Sequence, residues 1–337
     1  MDTTFTTQFE RSLAQFCAPE RLRAVEAGDA AMAARIWEQV DALGFTDALV
    51  HTDYGGAGLA LDDAGELLIA AGRAGLPHPF GETMVARGLL AVAGFHGAAG
   101  TRPVAMSVGS SDAAGRLICR DGSGAGLCGT VLLEFAGEWL LLPCEKATME
   151  PGYVRASASA TLSWPAGLMP LARFVSGGAC ASLCAIVHAA HMAGTMERVL
   201  AMTVGYASER RQFGKPIAQF QAIQQELAVM AEQAASAAMG ARMAFSTHIA
   251  KPDALLAATA KMRACEAAAI VASIAHAVYG AIGVTEELVL GVYSARLHEL
   301  RGANPTARAC AETLGRAVMA SNQAITAFTI SKLAPVP

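Results

Sequence analysis

The segment YASERRQFGKPIAQFQ, residues 206–221, decides the fold because it ends one long helix and precedes another. The sequence leading into it, HMAGTMERVLAMTVGYAS, places apolar side chains at helical spacing and contains no proline. Gly214 and Pro216 indicate the helix end, since glycine suits the left-handed cap and proline cannot continue a helix. We therefore predict a helical hairpin whose first helix carries Arg210 and Arg211 in its last turn, where cations are favoured.

This corner concentrates polar and aromatic side chains. Within four residues it presents two guanidinium groups, the amide of Gln212 and the ring of Phe213. A guanidinium matches a phosphate bidentately, and an aromatic ring offers a stacking face. The corner therefore has the groups that a phosphate-bearing ligand requires. A capped helical hairpin whose arginines extend into solvent would show the same residues, and it stays open as the alternative.

The spacing Tyr-x-x-x-Arg-x-Gln-Phe-Gly-x-Pro-Ile-x-x-Phe-Gln across residues 206–221 resembles the signature of the acyl-CoA dehydrogenase family. In that family this corner binds the ADP half of an FAD that is held by a neighbouring subunit. The resemblance implies FAD as the cofactor, with Arg210 at its pyrophosphate and with Gln212 and Phe213 lining it. It also implies an acyl-CoA thioester as the substrate and α,β-dehydrogenation as the reaction.

The composition favours a subunit of an oligomer. Hydrophobic residues make up 53% of the 337 residues and charged residues only 16%, so we expect much surface to be buried against other subunits, as a homo- or hetero-oligomer. The net charge of −4 and the pI near 6.1 argue against a nucleic-acid partner. The eight cysteines are scattered without a CxxC motif, so we expect reduced, buried thiols.

Two features bear on location. The start, MDTTFTTQFERSL, has no basic region followed by an apolar run, so we expect no secretory signal and a cytoplasmic protein. The segment AAAIVASIAHAVYGAIGV, residues 267–284, is apolar enough to suggest a membrane span. It is rich in alanine and contains a histidine and two glycines, so a buried helix of a bundle is the better interpretation, with no membrane contact.

The pattern along the chain predicts a mainly α fold with a small β insert. Residues 1–100 predict an N-terminal helical domain, in which Asp29 caps a helix. Residues 101–165 alternate short apolar runs with Gly, Ser and Asp turns and predict a small β domain. Residues 166–337 predict a C-terminal helical bundle, with helix from Leu171 onward. This order resembles the same family, including the loop YGGAGL and the corner GRAGLPHPF.

A second motif, HAVYGAIGVTEELVL, begins at His276. Gly280 and Gly283 should break one helix, and Thr285 could cap the next. The family has a glycine-rich corner here whose backbone approaches the FAD pyrophosphate of the neighbouring subunit, and Gly280, Ala281 and Gly283 match it. The family's usual glutamine is Ala277 in this chain. A simple helix–loop–helix corner is the alternative.

The catalytic base is missing from both positions where the family carries it. The family removes the α-proton of the thioester with a glutamate, which needs a dry site and a raised pKa. A gap-free count from Gly283 places that position at Asn304, and a count back from Phe213 places the second known position at Cys184. Glu299 and Glu312 stay as weak candidates, with solvated helix charge as the more natural interpretation. The catalytic residue is therefore unknown.

Other polar groups give weaker signals. Cys180, Cys184, His188 and His191 share one helix face, and their types suit zinc, but ligands strung along one helix cannot close a tetrahedron without a partner. We expect a packed helix face and no metal. The family's flavin-contacting Thr-Glu-Pro loop has no clear match, because the first predicted strand is followed by SVGSSDAAG, residues 107–115, and the MEP at residues 149–151 comes too late.

Two hypotheses follow from the resemblance. The chain is either an acyl-CoA dehydrogenase with an unidentified base, or the non-catalytic subunit of a heteromeric acyl-CoA dehydrogenase that supplies the ADP-binding surface to a catalytic partner. Short paired subunits of the family occur in the degradation of steroid and other bulky side chains. A flavin-free scaffold is a third interpretation, which the completeness of the signature disfavours.

Overall fold

The N-terminal part of the computed structural model, which describes residues 3–155 and 158–333, is helical as the sequence predicts. Asp29 caps the third helix, since its Oδ1 accepts a hydrogen bond from the backbone N–H of Met32 at 2.9 Å. The apolar stripes of these helices face a common core. The N-terminal helices are α1 (Thr3–Phe16), α2 (Pro19–Glu26), α3 (Ala30–Asp41), α4 (Leu61–Ala74) and α5 (Phe80–Val92).

The β part forms two four-stranded sheets. One sheet has the order β1-β4-β5-β8, with β1 parallel to β4 and the other pairs antiparallel. The other has the order β2-β3-β7-β6 and is antiparallel throughout. The strands are β1 (Val104–Val108), β2 (Ser110–Ser111), β3 (Leu117–Gly122), β4 (Thr130–Phe135), β5 (Glu138–Pro143), β6 (Thr148–Pro151), β7 (Ala160–Trp164) and β8 (Ala172–Val175).

The C-terminal part is a helical bundle with one short hairpin inserted after its first helix. The long helices α6, α7 and α8 pack against one another, and α10 lies along α8. The elements are α6 (Cys180–Glu209), β9 (Arg211–Gln212), β10 (Lys215–Pro216), α7 (Gln221–Phe245), α8 (Ala254–Tyr279), α9 (Leu290–Gly302), α10 (Ala307–Ser321) and α11 (Ile325–Lys332). The expected class, a helical domain, a β domain and a helical bundle, is confirmed.

Helices α4 and α6 approach each other closely because glycines face each other at their crossing. A Cβ on Gly194 would lie 1.9 Å from the carbonyl oxygen of Ile69. A Cβ on Gly72 would lie 2.1 Å from the carbonyl oxygen of His191. Real Cβ atoms do not come this close to backbone, so the two helices touch directly and leave no space for a chain of ligand atoms between them at this level.

The apolar segment 267–284 lies in the bundle as predicted. By length and composition, Ala254–Val284 is the one stretch of the described helices that could cross a membrane, and 44% of its most apolar window is buried within the chain. It comprises α8 and a 3₁₀ turn, and α8 packs against α6 and α7. All eight cysteines are buried and free, as expected of reduced apolar thiols.

Three local predictions are wrong. The β part extends to Val175, past the predicted boundary at 165, so helix begins at Cys180 instead of Leu171. Strand β8 is responsible, because it completes the sheet beside β5. Thr285 does not cap a following helix, since its hydroxyl donates back to the carbonyl of Ile282 at 2.8 Å and α9 begins at Leu290. The third concerns Arg210 and Arg211, which follow α6 instead of ending it.

Candidate functional site

The signature folds as a helix end followed by a two-residue hairpin. Helix α6 stops at Glu209, and Arg210 has the extended angles φ −66° and ψ 120°. Its N–H donates to the carbonyl of Tyr206, and its carbonyl accepts from the N–H of Ile217, both at 2.8 Å. The backbone of Arg210 is thus fixed on both sides. Its side chain is exposed, and within the described ranges its guanidinium makes no hydrogen bond or ion pair.

Phe213 occupies a strained position on the surface. Phe213 and Gly214 form the hairpin turn with φ values of 50° and 82°, as a type I′ turn requires. A left-handed conformation costs a residue with a Cβ about 1–2 kcal/mol. The ring is nevertheless 92% exposed, with one edge-on contact to Phe220 at a centroid distance of 6.2 Å. Strain combined with exposure indicates a role outside the chain itself.

Helix α8 ends at the glycine corner, where Gly280 is predicted to break it. Helix α8 ends at Tyr279, and Gly280 follows with φ 64° and ψ −142°, a region that residues with a Cβ rarely adopt. Gly280 and Ala281 are exposed, and a Cβ on Gly280 would meet no atom within 4 Å. Gly283 is buried beside Tyr279. The corner therefore offers bare backbone to the outside at Gly280 and Ala281.

A tyrosine pair brings the two motifs together. The rings of Tyr206 on α6 and Tyr279 on α8 stack with centroids 4.2 Å apart and planes 24° apart. Tyr279 Oη donates to the carbonyl of Met202 at 2.9 Å, and Tyr206 Oη donates to the carbonyl of Tyr279 at 3.5 Å. Arg210 lies one helical turn after Tyr206, and Gly280 directly follows Tyr279. We call Arg210, Gln212, Phe213, Gly280 and Ala281 the cofactor surface.

The cofactor surface fits the ADP half of a dinucleotide. An unpaired guanidinium can take up a pyrophosphate, and glycine backbone allows phosphate oxygens to approach closely. The exposed ring of Phe213 and the exposed amide of Gln212 supply a stacking face and a hydrogen-bonding group. Gly283 is buried, so it shapes the corner without facing outward.

The two positions where the resemblance places the base hold no carboxylate. Asn304 is exposed in the turn between α9 and α10, and its side chain is a neutral amide. The Cys184 thiol is buried under the first sheet, with Sγ 3.7 Å from the carbonyl oxygen of Met106 and 3.9 Å from Cys180 Sγ. Glu312 is a surface carboxylate paired with Arg308 and Arg316, as a solvated helix charge should be.

Glu299 is buried, so the prediction of a solvated charge is wrong for it. Its carboxylate accepts from Arg155 Nη1 and Arg296 Nη1, each at 2.7 Å, and from Ser123 Oγ at 2.8 Å. Burial alone would raise the pKa of Glu299, but Arg296 and Arg155 outweigh burial and hold it well below its usual value. A carboxylate this acidic is a poor proton acceptor, which argues against Glu299 as the base.

Glu299 belongs to what we call the arginine network, which joins all three parts of the chain. Arg155, in the loop between β6 and β7, also binds Glu26 at the end of α2, with Nη2 2.6 Å from Oε1. Burial opposes the charge of Arg155, yet Glu299 and Glu26 raise its pKa. Arg296 Nε donates to His191 Nε2 at 3.4 Å. Burial and the nearby Arg296 lower the pKa of His191, so it stays neutral.

A second buried set, the lysine network, lies between α5, α6 and α8. Glu82 Oε1 accepts from His188 Nε2 at 3.2 Å, and Lys261 Nζ lies 3.3 Å from His188 Nδ1. Lys261 also donates to the carbonyls of Leu300 and Ala303, which end α9. A carboxylate accepts and an ammonium donates, so His188 bridges them as a neutral ring; burial and Lys261 lower its pKa accordingly.

The two networks show what the histidines on the α6 face bind, which bears on the choice between a zinc site and a packed helix face. His188 and His191 each bind a partner on another element, and Cys184 contacts the first sheet, as a packed helix face would. No group of three or more potential metal ligands occurs among residues 3–155 and 158–333. Sequence reasoning missed Glu82, Arg155 and Lys261. A charged residue inside an apolar helical run, as in LAATAKMRACEAAAI, was the available signal for Lys261.

Comparison with known proteins finds acyl-CoA dehydrogenases among the relatives of the chain. The family model described as "Acyl-CoA dehydrogenase, C-terminal domain" matches residues 182–300. Acyl-CoA dehydrogenase FadE34 of Mycobacterium tuberculosis is 34% identical over 286 residues, 77% of this chain. The match spans only 38% of FadE34, so this chain corresponds to a part of that protein.

Two solved structures share the fold over nearly the whole chain. The ChsE4–ChsE5 complex from Mycobacterium tuberculosis matches 96% of this chain and 98% of the solved chain, with a TM-score of 0.76 and 19% identity. A variant of the Tcur3481–Tcur3483 steroid ACAD matches 95% and 98%, with a TM-score of 0.81 and 20% identity. At these identities the match concerns the fold.

Proposed function

Because the chain belongs to the acyl-CoA dehydrogenase family, we propose that it is the non-catalytic subunit of a heteromeric acyl-CoA dehydrogenase. In this role it presents the cofactor surface to an FAD whose flavin lies in a catalytic partner chain. The family-level activity is oxidoreduction, and the partner chain would carry it out. The single observation behind the proposal is the contrast between an open cofactor surface and a filled interior.

The interior lacks what the dehydrogenation requires. A base must reach the α-carbon of a bound thioester, and neither Asn304 nor Cys184 can serve. The contact of α4 with α6 at Gly72 and Gly194 leaves no channel for an acyl chain there. The arginine and lysine networks fill the space beside it with paired charges. An acyl-CoA thioester would have to displace these pairs, at a cost of several kcal/mol for each charge left alone.

The cofactor surface, in contrast, exposes an unpaired charge and an aromatic ring. Arg210 is held by its backbone with its guanidinium unpaired, and Phe213 is strained and exposed. FAD supplies the hydride acceptor of the reaction when it is bound. Arg210 would neutralise pyrophosphate charge, Phe213 would exclude water on one side, and the backbone at Gly280 and Ala281 would approach the phosphates. All of these groups belong to this chain, and all of them lie on its surface and not in its interior.

The similar proteins support a bulky substrate for the assembled enzyme. One similar structure is named as a complex of two chains, and another as a steroid ACAD. We infer that the partner acts on an acyl-CoA thioester with a steroid-like or comparably large acyl group. The alternative, a chain that is a dehydrogenase by itself, predicts flavin-dependent turnover without a partner.

The test compares the chain alone with the chain co-expressed with family members that carry the glutamate base. Alone, it should show no turnover of acyl-CoA thioesters with FAD and an artificial electron acceptor. In the assembled pair, Arg210→Ala should lower FAD affinity about 10- to 100-fold, since a charge-assisted contact is worth roughly 1.5–3 kcal/mol. Arg308→Ala is the matched control, because it removes an exposed arginine from α10.

Three results would count against the proposal. Turnover by the purified chain alone would mean that a base exists elsewhere in it. Unchanged FAD affinity in the Arg210→Ala assembly would mean that the cofactor surface does not hold FAD. Loss of FAD in both the Arg210 variant and the Arg308 control would indicate a general effect of lost charge and would equally count against a specific contact.

A further inference from the structure

We propose that Tyr206 and Tyr279 form a brace that sets the distance between the two halves of the cofactor surface. The inference deepens the proposed function, because ADP is the ligand whose affinity reports on the brace. Both residues are positioning residues, since neither faces outward with the cofactor surface: Tyr279 is 7% exposed and Tyr206 is half-buried. What they position is the Arg210 hairpin on one side and the glycine corner on the other.

The brace is reciprocal. Each tyrosine hydroxyl reaches the backbone of the other residue's helix: Tyr279 Oη binds the carbonyl of Met202 on α6, and Tyr206 Oη binds the carbonyl of Tyr279, the last residue of α8. The rings between them stack at 4.2 Å. A sliding or tilting motion of one helix end against the other would break the stack and both hydrogen bonds together.

The brace holds the residues from which the two ligand-facing segments start. After Tyr279 the chain enters Gly280, whose φ and ψ have few steric limits, so the direction of the corner depends on what holds the residue before it. On the other helix, the carbonyl of Tyr206 accepts a hydrogen bond from the N–H of Arg210, the residue that follows the end of α6. The two ligand-facing segments are thus each attached to one tyrosine of the pair.

This arrangement explains how the corner can work without the family's glutamine. Ala277 has no side chain that could bind a phosphate. The remaining contacts at Gly280 and Ala281 are backbone contacts, and they hold a pyrophosphate only if the corner already has the right position relative to Arg210. Preorganisation supplies affinity in such a case by reducing the ordering needed on binding.

The first readout is hydrogen exchange in the cofactor-free chain. Tyr206→Leu should speed amide exchange at residues 280–285, on the other helix, about 3- to 10-fold, the range expected for the loss of an aromatic pair. Tyr279→Leu should do the same at residues 210–217. Phe9→Leu is the matched control, because Phe9 is a buried ring stacked on Phe80 in the N-terminal helices at 5.2 Å. It should lower the melting temperature without changing exchange in either segment.

The second readout is ADP affinity, measured by titration of the purified chain. Each leucine variant should weaken ADP binding about 3- to 10-fold, and the double variant should weaken it less than the product of the two single effects, because both remove one brace. Tyr279→Phe keeps the stack, loses the bond to Met202 and should give a smaller effect. This milder variant keeps the test meaningful if a leucine variant does not fold.

The outcomes separate the two proposals. Unchanged exchange in the opposite segment of both leucine variants would overturn the brace, whatever ADP does. Multiplicative effects on ADP affinity in the double variant would also overturn it. If ADP binds neither the parent chain nor any variant, the proposed cofactor surface is wrong, and the exchange rates decide the brace by themselves.

Discussion

Replacing Arg155 by methionine tests whether the arginine network holds the three parts of the chain together. Methionine keeps most of the side-chain volume and removes the guanidinium that Glu26 and Glu299 share. Arg155 is 3% exposed, and its two contacts to carboxylates measure 2.6 and 2.7 Å. We expect the free energy of unfolding to fall by about 3–5 kcal/mol, the range for removing one partner of a buried ion pair.

The structure allows this magnitude to be apportioned. Two unit charges about 4 Å apart attract by roughly 4 kcal/mol at the effective dielectric constant that describes protein sites. Glu299 keeps Arg296 as a partner after the substitution, so its loss is partial. Glu26 is a fifth exposed at its side chain and regains some hydration. These compensations keep the expected loss near the lower half of the range.

The assay is denaturant unfolding at pH 7.5, followed by the fluorescence of the buried tryptophans. Arg308→Met is the control, because Arg308 forms an exposed i,i+4 pair with Glu312 and should change stability by less than about 0.5 kcal/mol. A loss below about 1 kcal/mol for Arg155→Met would refute the reasoning. Glu299→Gln adds a functional readout: it should destabilise the chain and leave turnover by the assembled enzyme intact, which a catalytic base could not do.

Three further predictions concern protonation, the base and packing. Burial lowers the pKa of His78 to about 3 and that of His191 well below 6.5, so the unfolded chain binds more protons below pH 6.5 and stability is lost as pH falls. Each of these two histidines should cost about 1.4 kcal/mol of stability between pH 7.5 and 5.5, and His78→Gln should reduce the total pH-dependent loss by about that amount, measured by unfolding at both pH values. Asn304→Glu should give no turnover in the chain alone, because the interior that would receive the thioester is filled; a gain in a dye-reduction assay would contradict this. Gly194→Ala should destabilise by at least about 2 kcal/mol in thermal unfolding because its Cβ would strike backbone of α4, whereas Gly205→Ala in the same helix, with open space around it, should be neutral or stabilising.

The elements and the turns at the two motifs were accessible from sequence because their signals are local. Helical periodicity gave α4, α5 and α7, and alternating runs gave β4 and β5. Glycines at 214 and 280 mark positions where φ is positive, and the chain turns at both. The end of α6 was misplaced by one or two residues, because Arg210 and Arg211 have good helical propensity and the hairpin that removes them from the helix depends on the turn at Phe213.

The buried networks were not accessible, because their partners are far apart in sequence. Arg155 meets Glu26 across 129 positions and Glu299 across 144. Nothing near Arg155 distinguishes it from a surface residue of a β loop, and Glu299 has the helical spacing of a solvated charge. Only the fold brings these groups together, and the pKa of each then follows from its neighbours instead of its own type.

The buried arginines and the exposed Arg210 differ in whether they have partners within the chain. Arg155 and Arg296 are buried and fully paired, a state that gives little net stability compared with a hydrophobic core, so their value lies in fixing how the three parts meet. Arg210 is exposed and unpaired beside a strained, exposed phenylalanine, a state that gives this chain no stability at all. The buried arginines are already paired and need no ligand. The exposed guanidinium of Arg210 has no partner in the described chain, and the strained ring of Phe213 has only its edge-on contact to Phe220, so a bound ligand would give both a partner. This contrast supports the proposed role, in which the surface at Arg210 is completed when another chain brings its cofactor to it.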